Sequence, residues 1–224
     1  MNIKWIGQAG VVIKTKELSI IVDPYLSDSC HKINPLSYRR YPADESLLKG
    51  KYDVIIFTHD HLDHLDTETY PHILENNPNI IVLAPKNAWD KVRTWGVGPN
   101  YVMFNNGTTW TEKDTVFKAV KAEHSDLTAI GVIIENKGKT VYLTGDTLYN
   151  EEVFKTLPEN IDYCIMPVNG KGNNMNMADG AKFADKCKAK HIVPVHVGLF
   201  DDLKPDDFEH KNKVVFELNK EYEI

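Results

Sequence analysis

The apolar patterning of this chain predicts an α/β protein built as a four-layer αββα sandwich, two sheets packed face to face with helices outside. Three observations carry that expectation. Strand-length apolar runs fall into two β-rich halves, one before and one after about residue 102. Each half also contains helix-length segments, so each sheet brings its own cover. Finally, the 224 residues contain no low-complexity segment, linker or internal repeat, which makes a single domain over residues 1–224 the expectation.

Three short strands open the chain, Ile3–Ile6, Val11–Lys14 and Ser19–Val22, separated by Gly7 to Gly10 and by the polar turn at Lys16-Glu17. An irregular stretch follows from Asp23 to about Pro42. Val54-Ile55-Ile56-Phe57 reads as a buried strand. Asp66–Glu75 reads as a helix capped by Asp66, with Pro71 inside it. Ile80–Ala84 is the next strand, and Lys86–Thr94 a helix ended by Gly96. In the second half, Val116–Ala122, Ala129–Glu135 and Thr140–Thr144 read as strands, the last two joined by a hairpin at Asn136-Lys137-Gly138. A helix at Glu151–Leu157, a strand at Tyr163–Pro167, a helix at Ala178–Cys187 capped by Asn176 and a strand at His191–Val195 follow. A C-terminal helix is expected to start near Asp206.

Composition narrows the class of partner. A formal net charge of −6 argues against broad electrostatic binding to nucleic acid or to an anionic membrane. No apolar run approaches the length of a membrane span. Met1 to Gly7 lacks the charged start and long apolar core of a signal peptide. Cys30, Cys164 and Cys187 are far apart and form no CxxC pair, as in a protein with reduced thiols. The expectation is a cytoplasmic protein acting on a small molecule.

The most informative segment is His59-Asp60-His61-Leu62-Asp63-His64, directly after an apolar strand. His59 and His61 are two apart, so in extended backbone they leave the same side. Asp63 and His64 follow where the chain turns, and can face the same pocket. Imidazoles and carboxylates this crowded suit a divalent cation, which binds neutral imidazole and ionised carboxylate. Further along, His124, Asp146 and His196 each sit just past an apolar strand, and Asp23 ends Ile20-Ile21-Val22. Strand ends along one edge of a sheet pair can bring distant residues together rigidly.

With these residues in place the chain resembles the metallo-β-lactamase fold superfamily over essentially its full length. It is similar more closely to the L-ascorbate-6-phosphate lactonase-like branch. That closer likeness rests on Trp5-Ile6-Gly7-Gln8-Ala9-Gly10, on Asp23 to Ser29, on Thr58 to Asp66, on Thr144 to Tyr149, and on the segment from Asn169-Gly170 to Asn174-Met175-Asn176. The chain is shorter than expected of the lactonase. Its Asn-Gly segment also reads Asn169-Gly170-Lys171-Gly172-Asn173-Asn174, where relatives are expected to have an Arg and an aromatic residue.

The resemblance implies two divalent ions, Zn²⁺ first, with Mn²⁺ and Fe²⁺ as alternatives. His59, His61 and His124 would hold one ion, and Asp63, His64 and His196 the second, with Asp146 bridging. Asp63 and Asp146 are the implied catalytic carboxylates, and Asp23 would orient a ligand from behind. The implied reaction is attack by metal-activated hydroxide on a small, anionic lactone or ester. His61 stands where redox diiron relatives are expected to carry Glu, and Asp146 where many true β-lactamases have Cys, which favours hydrolysis over oxygen chemistry or antibiotic cleavage. Candidate substrate contacts are Tyr25, Arg39, Arg40, Asn169, Lys171 and Asn174. The competing readings are a phosphodiesterase or nuclease on the same site, and a metal-binding regulatory protein without turnover. Self-association is expected by analogy with relatives.

Overall fold

Residues alternate across the strands of the first half: Ile20 and Val22 belong to one apolar cluster, and Ile21 between them to another. A strand buried on both faces reads as a continuous apolar run, which is how these segments look in the sequence. The computed structural model describes residues 1–224. Strands β1 (Asn2–Gly7), β2 (Gly10–Lys14), β3 (Ser19–Val22), β4 (Val54–Ile56), β5 (Ile81–Ala84) and β6 (Asn100–Met103) lie side by side in that order. The second sheet holds β7 (Thr109–Glu112), β8 (Thr115–Lys121), β9 (Ile130–Asn136), β10 (Lys139–Leu143), β11 (Tyr163–Pro167) and β12 (His191–Val195), again in chain order.

The αββα expectation holds. Ile3, Trp5, Ile13, Val22 and Ile56 of the first sheet meet Phe117, Val132, Val141, Ile165 and Val193 of the second in one inner cluster. The outer face of the first sheet packs Val12, Ile55 and Val82 on the helices α2 (Thr69–Asn76) and α3 (Lys86–Val92), through Tyr70, Ile73, Ala88 and Val92. The outer face of the second sheet packs Ile133, Tyr142, Cys164 and Ile192 on Phe183 and Ala184 of α4 (Met177–Cys187). A one-turn helix, α1 (Ser29–Ile33), interrupts the stretch expected to be irregular.

Strand direction decides where the functional residues go. In the first sheet β1 and β3 both run antiparallel to β2, and β3 is parallel to β4. In the second, β8 and β10 both pair antiparallel with β9, and β10, β11 and β12 are parallel. Strands β1, β3 and β4 therefore share one direction, and so do β8, β10 and β12. Each set delivers its C-terminal ends to one edge of its sheet. The two edges meet where the Ile130 amide donates to the Thr58 carbonyl at 3.0 Å and the His196 amide to the Gln8 carbonyl at 3.0 Å.

Several elements differ from expectation. The C-terminal helix does not form: after a single 3₁₀ turn at Pro205–Asp207 the chain runs beside β12, exchanging hydrogen bonds with Ile192 through Asn212 and Val214. It ends as a last strand, β13 (Glu221–Glu223), antiparallel to β1, which makes the first sheet seven-stranded. Covering the open edges of both sheets outweighs helix propensity here. Glu151–Thr156 is a 3₁₀ segment rather than an α-helix. Asp66 does not cap α2, which begins at Thr69; the buried Asp66 carboxylate instead accepts from Ser27 N, Ser29 Oγ and Thr69 Oγ1, tying the segment after β3 to the helix. Pro71 is tolerated because it lies in the first turn of α2, where backbone N–H groups have no intrahelical partner. The hairpin turn and the Asn176 cap, whose side chain accepts from Asp179 N at 2.9 Å, form as expected.

The fully buried Tyr142 hydroxyl has no hydrogen-bond partner. Tyr142→Phe is therefore expected to leave the unfolding free energy unchanged or raise it by about 1 kcal/mol, since no bond is lost and a desolvated group is removed. Urea unfolding measures this, and a comparable loss would mean that the hydroxyl is bonded.

Candidate metal centre

Each strand end at the shared edge presents a polar side chain. Asp23 follows β3, His59 to His64 follow β4, His124 follows β8, Asp146 follows β10 and His196 follows β12. They gather into two adjoining groups, His59, His61 and His124 in one and Asp63, His64, Asp146 and His196 in the other. Within each group the potential ligand atoms lie within 4.8 Å of one another. Asp146 reaches both: Oδ1 stands 3.1 Å from His64 Nε2 and from His196 Nε2, and Oδ2 stands 4.0 Å from His59 Nε2. All seven side chains expected to bind metal are thus in one place. All are buried except His61, which is partly exposed and marks the side open to solvent.

Backbone geometry puts them there at a cost. Gly145, with φ of +60°, turns the chain between β10 and Asp146; a Cβ there would lie 2.6 Å from the Ile130 carbonyl oxygen and 3.0 Å from Thr58 Cβ. Asp23 and His196 adopt φ of +43° and +62°, a region disfavoured for residues with a side chain. Asp23 is held by what it binds: one oxygen accepts from Thr58 N at 2.8 Å, the other from Thr58 Oγ1 and from His64 Nδ1 at 2.8 Å. That last bond aims His64 Nε2 at the other ligand atoms.

Atoms left without partners test whether a cation fits. His59 Nε2 and Asp146 Oδ1 are buried and accept no hydrogen bond, which is costly unless something else satisfies them. His64 and His196 bring their Nε2 atoms to 3.2 Å, and His124 Nε2 lies 3.1 Å from His61 Nδ1. Electrostatics point the same way. Burial opposes charge on Asp146, yet the His196 and His64 imidazoles hold its carboxyl well below the usual range. Asp63 is lowered too, against its own burial, by His64 and His196. Burial would lower both imidazoles in turn, but Asp146 and Asp63 outweigh it, raising His64 well above its ordinary value and His196 to about 9. His59 is different: burial, with His64 adding to it, pushes the imidazole far towards the neutral form that can ligate a metal. The carboxylates require positive charge in this pocket, and the donor set of imidazoles and carboxylates suits a divalent transition metal.

The expected substrate contacts are placed otherwise. Arg39 donates from Nε to the Ser27 carbonyl at 3.0 Å and from Nη2 to the Tyr25 carbonyl, and its guanidinium stacks on the Tyr25 ring. Arg40 donates to Asp202, to the Tyr38 carbonyl and to the Leu199 carbonyl. Both cations are spent on clamping loops, and the buried Tyr25 hydroxyl accepts from Cys30 N. Asn174 donates to Asp146 Oδ2 at 2.7 Å while accepting from Thr147 N, so it orients a ligand. Asn169 bonds Asp201 and the Lys171 amide. Lys171 alone is exposed with its ammonium unpaired, on a loop whose Asn173 carbonyl lies 3.3 Å from His124 Nδ1.

Two positioning residues were not expected. Asp126 accepts from Asp60 N and from Asn87 Nδ2, fastening the histidine-rich turn to α3. Gln8, buried at the end of β1, donates to Asp63 Oδ2 at 2.8 Å. Its signal was available, since it too is a polar residue ending an apolar strand.

Fold and pocket together define a protein of the metallo-β-lactamase fold with a buried imidazole–carboxylate centre. A family profile described as a beta-lactamase superfamily domain matches residues 19–197. A UPF0173 metal-dependent hydrolase of Saccharolobus solfataricus is 30% identical over 92% of this chain and 88% of its own. Another, from Sulfurisphaera tokodaii, is 29% identical over 92% and 89%. A metallo hydrolase from Ignicoccus hospitalis superposes with a TM-score of 0.79 at 20% identity, covering 100% of this chain and 98% of its own, and shares the fold. The chain belongs to the β-lactamase superfamily and, within it, to the UPF0173 metal-dependent hydrolases.

Gly145→Ala is expected to destabilise the protein by about 1–3 kcal/mol from backbone strain alone, with the clash at Ile130 adding to it. A urea midpoint equal to that of the unaltered chain would contradict this account of the turn.

Proposed function

We propose that residues 1–224 act as one unit, a hydrolase of small esters or lactones working with two divalent ions, Zn²⁺ in the first instance. His59, His61 and His124 hold one ion, Asp63, His64 and His196 the other, and Asp146 lies between them. The observation that carries this reading is Asp146 itself, one oxygen facing each group, with Oδ1 and the neighbouring His59 Nε2 buried and unpartnered. Divalent ions bound there would supply Lewis acidity and lower the pKa of water towards ~7.

The chain's own groups do the rest. Asp23 fixes the His64 ring, and Asn174 fixes the Asp146 carboxylate, so neither ligand has to reorganise. Asp63, ionised and 3.1 Å from His196 Nε2, can hold a proton from the attacking water. Substrate enters beside the partly exposed His61. With Arg39 and Arg40 committed elsewhere, Lys171 is the cation left to meet an anionic substituent. The unpaired, buried Cys30, Cys164 and Cys187 support a reducing compartment such as the cytoplasm, and no helix is long and apolar enough to cross a membrane.

Elemental analysis of protein purified without added metal or chelator is expected to give about two transition-metal ions per chain. His61→Ala and Asp146→Ala are expected to keep the fold by circular dichroism. Each should lower kcat/KM by ~10³-fold on a panel of phosphorylated lactones and uncharged esters. Full turnover in either variant, or a metal-free active protein, would overturn the reading. Lys171→Ala tests the anion contact: KM for a phosphorylated lactone should rise about tenfold, equivalent to ~1.4 kcal/mol, with no change for an uncharged ester. Equal effects on both substrates would remove Lys171 from that role.

A further inference from the structure

Three apolar clusters fill the space between the sheets and under the helices, and a fourth lies apart from them. Its buried members are Tyr25, Cys30 and Leu199, with Leu62 and Phe200 packed on them and partly open to solvent. None of the five lies on a strand. All come from the connections around the metal centre. Tyr25 is two residues past Asp23, Leu62 stands between His61 and Asp63, and Phe200 is four residues past His196. Burial first, and then the Asp63 carboxylate, pushes the Cys30 thiol up to about 12, which puts the cluster beside that ligand.

Single apolar side chains on a surface are ordinary. Phe200 differs in what surrounds it. Its ring centroid stands 6.1 Å from that of His196, with the planes 33° apart, within the range of aromatic pairs. The two carboxylates that follow it are engaged. Asp201 accepts from Gly198 N and Leu203 N at 3.0 Å through one oxygen, and from Asn169 Nδ2 at 3.2 Å through the other. Asp202 accepts from Arg40 at 2.9 Å. What this connection has left to offer beside His196 is the Phe200 ring. Asn169, bonded to Asp201, also accepts from the Lys171 amide, so the exposed Lys171 and the Phe200 ring stand on cross-tied connections. Tyr25, Cys30 and Leu199 hold the Leu62 and Phe200 side chains from behind, so a substituent laid on them leaves water against a surface already in place.

We propose that Leu62 and Phe200 form an apolar subsite beside the second ligand group, and that the ester or lactone accepted there carries an alkyl or aryl substituent against it. The inference rests on the hydrolase reading above and narrows its substrate class. The substrate is amphipathic, with a hydrocarbon arm towards Phe200 and any anionic arm towards Lys171, rather than polar throughout like a phosphorylated sugar lactone. Phe200 touches the substrate and sets the preference among substrates; it takes no part in breaking the bond.

Calorimetric titration of the full-length, Zn²⁺-loaded protein with n-alkylphosphonates from methyl to hexyl tests this, since they carry the tail without being hydrolysed. Turnover of lactones with one ring and the same tails is measured alongside. In the unaltered chain, phosphonate affinity and lactone kcat/KM are expected to rise about two- to fourfold per methylene, or at least about thirtyfold from methyl to hexyl. Phe200→Ala should lower that hexyl-to-methyl ratio at least about fivefold, while Phe200→Leu, which keeps an apolar wall, should lower it less than about twofold. Each ratio compares two compounds on one preparation, so a partial loss of metal or of folded protein cancels. Phe200→Gln carries the same expectation as Phe200→Ala if the latter does not fold. Phosphonate binding that ignores the tail overturns the subsite, and so does tail dependence that survives loss of the Phe200 ring. Tail-dependent phosphonate binding without turnover of any lactone or ester overturns the hydrolase reading and leaves the subsite standing. Turnover without tail dependence does the reverse, and neither binding nor turnover overturns both.

Discussion

The constraint that organises this protein is the electrostatic cost of one pocket. Seven imidazoles and carboxylates are gathered with their ligand atoms a few ångströms apart, six of them buried, in a setting where each charge loses most of its hydration. Nothing local in the chain would keep them together; alone, the segments would separate to recover water. What holds them is the sheet pair, whose inner apolar cluster runs the length of the interface and whose strands aim the ligand-bearing ends at one edge. The strained φ values of Gln8, Asp23 and His196 occur at that edge, where each residue is tied into the opposite strand or loop. Such strain persists only where surrounding structure over-determines it. The pocket and the fold's stability are therefore coupled, because the apolar interior supplies the free energy that the pocket consumes.

This coupling explains what could be read from the sequence. Strands buried on both faces are apolar almost throughout, so β3, β4, β5, β11 and β12 stand out as runs. The ligands stand out because residues such as His59, Asp146 and His196 end those runs abruptly. Where tertiary demand replaced local preference, the sequence misled. A helix is expected to start near Asp206, yet the chain there runs beside β12 through Asn212 and Val214 and then pairs with β1 as β13. Asp66 resembles a cap by position but binds two groups, Ser27 N and Ser29 Oγ, from a segment almost forty residues away. No local pattern encodes that.

Residue type also failed to reveal occupation. Arg39 and Arg40 have the chemistry of anion binding, and a sequence cannot show that their donors are already taken by main-chain carbonyls. Asn174 was expected at the substrate and instead bonds Asp146. The sequence reading and the structure agree best where function depends on a group's identity, as with the histidines. They agree least where it depends on which of several identical groups is left free. Lys171 is informative for that reason: its ammonium is unpaired in a neighbourhood where other cations are bound.

The arrangement separates two tasks physically. The ligands sit at strand ends, where any shift would disturb the hydrogen-bonded ladder behind them, so the centre is fixed by the whole sandwich. The groups around its mouth sit on short connections, Tyr25 to Arg40, Asn169 to Asn176 and Gly198 to Asp202, that are cross-tied to one another. Arg40 bridges the first connection to the third, and Asn169 bridges the second to the third. A change in one connection is therefore felt by the others. Under the proposed function, substrate preference can shift through these ties while Asp23 and Asp126 continue to hold the centre, because their partners lie on the histidine-rich turn and on α3, whereas Asn174, on the second connection, ties the mouth to Asp146.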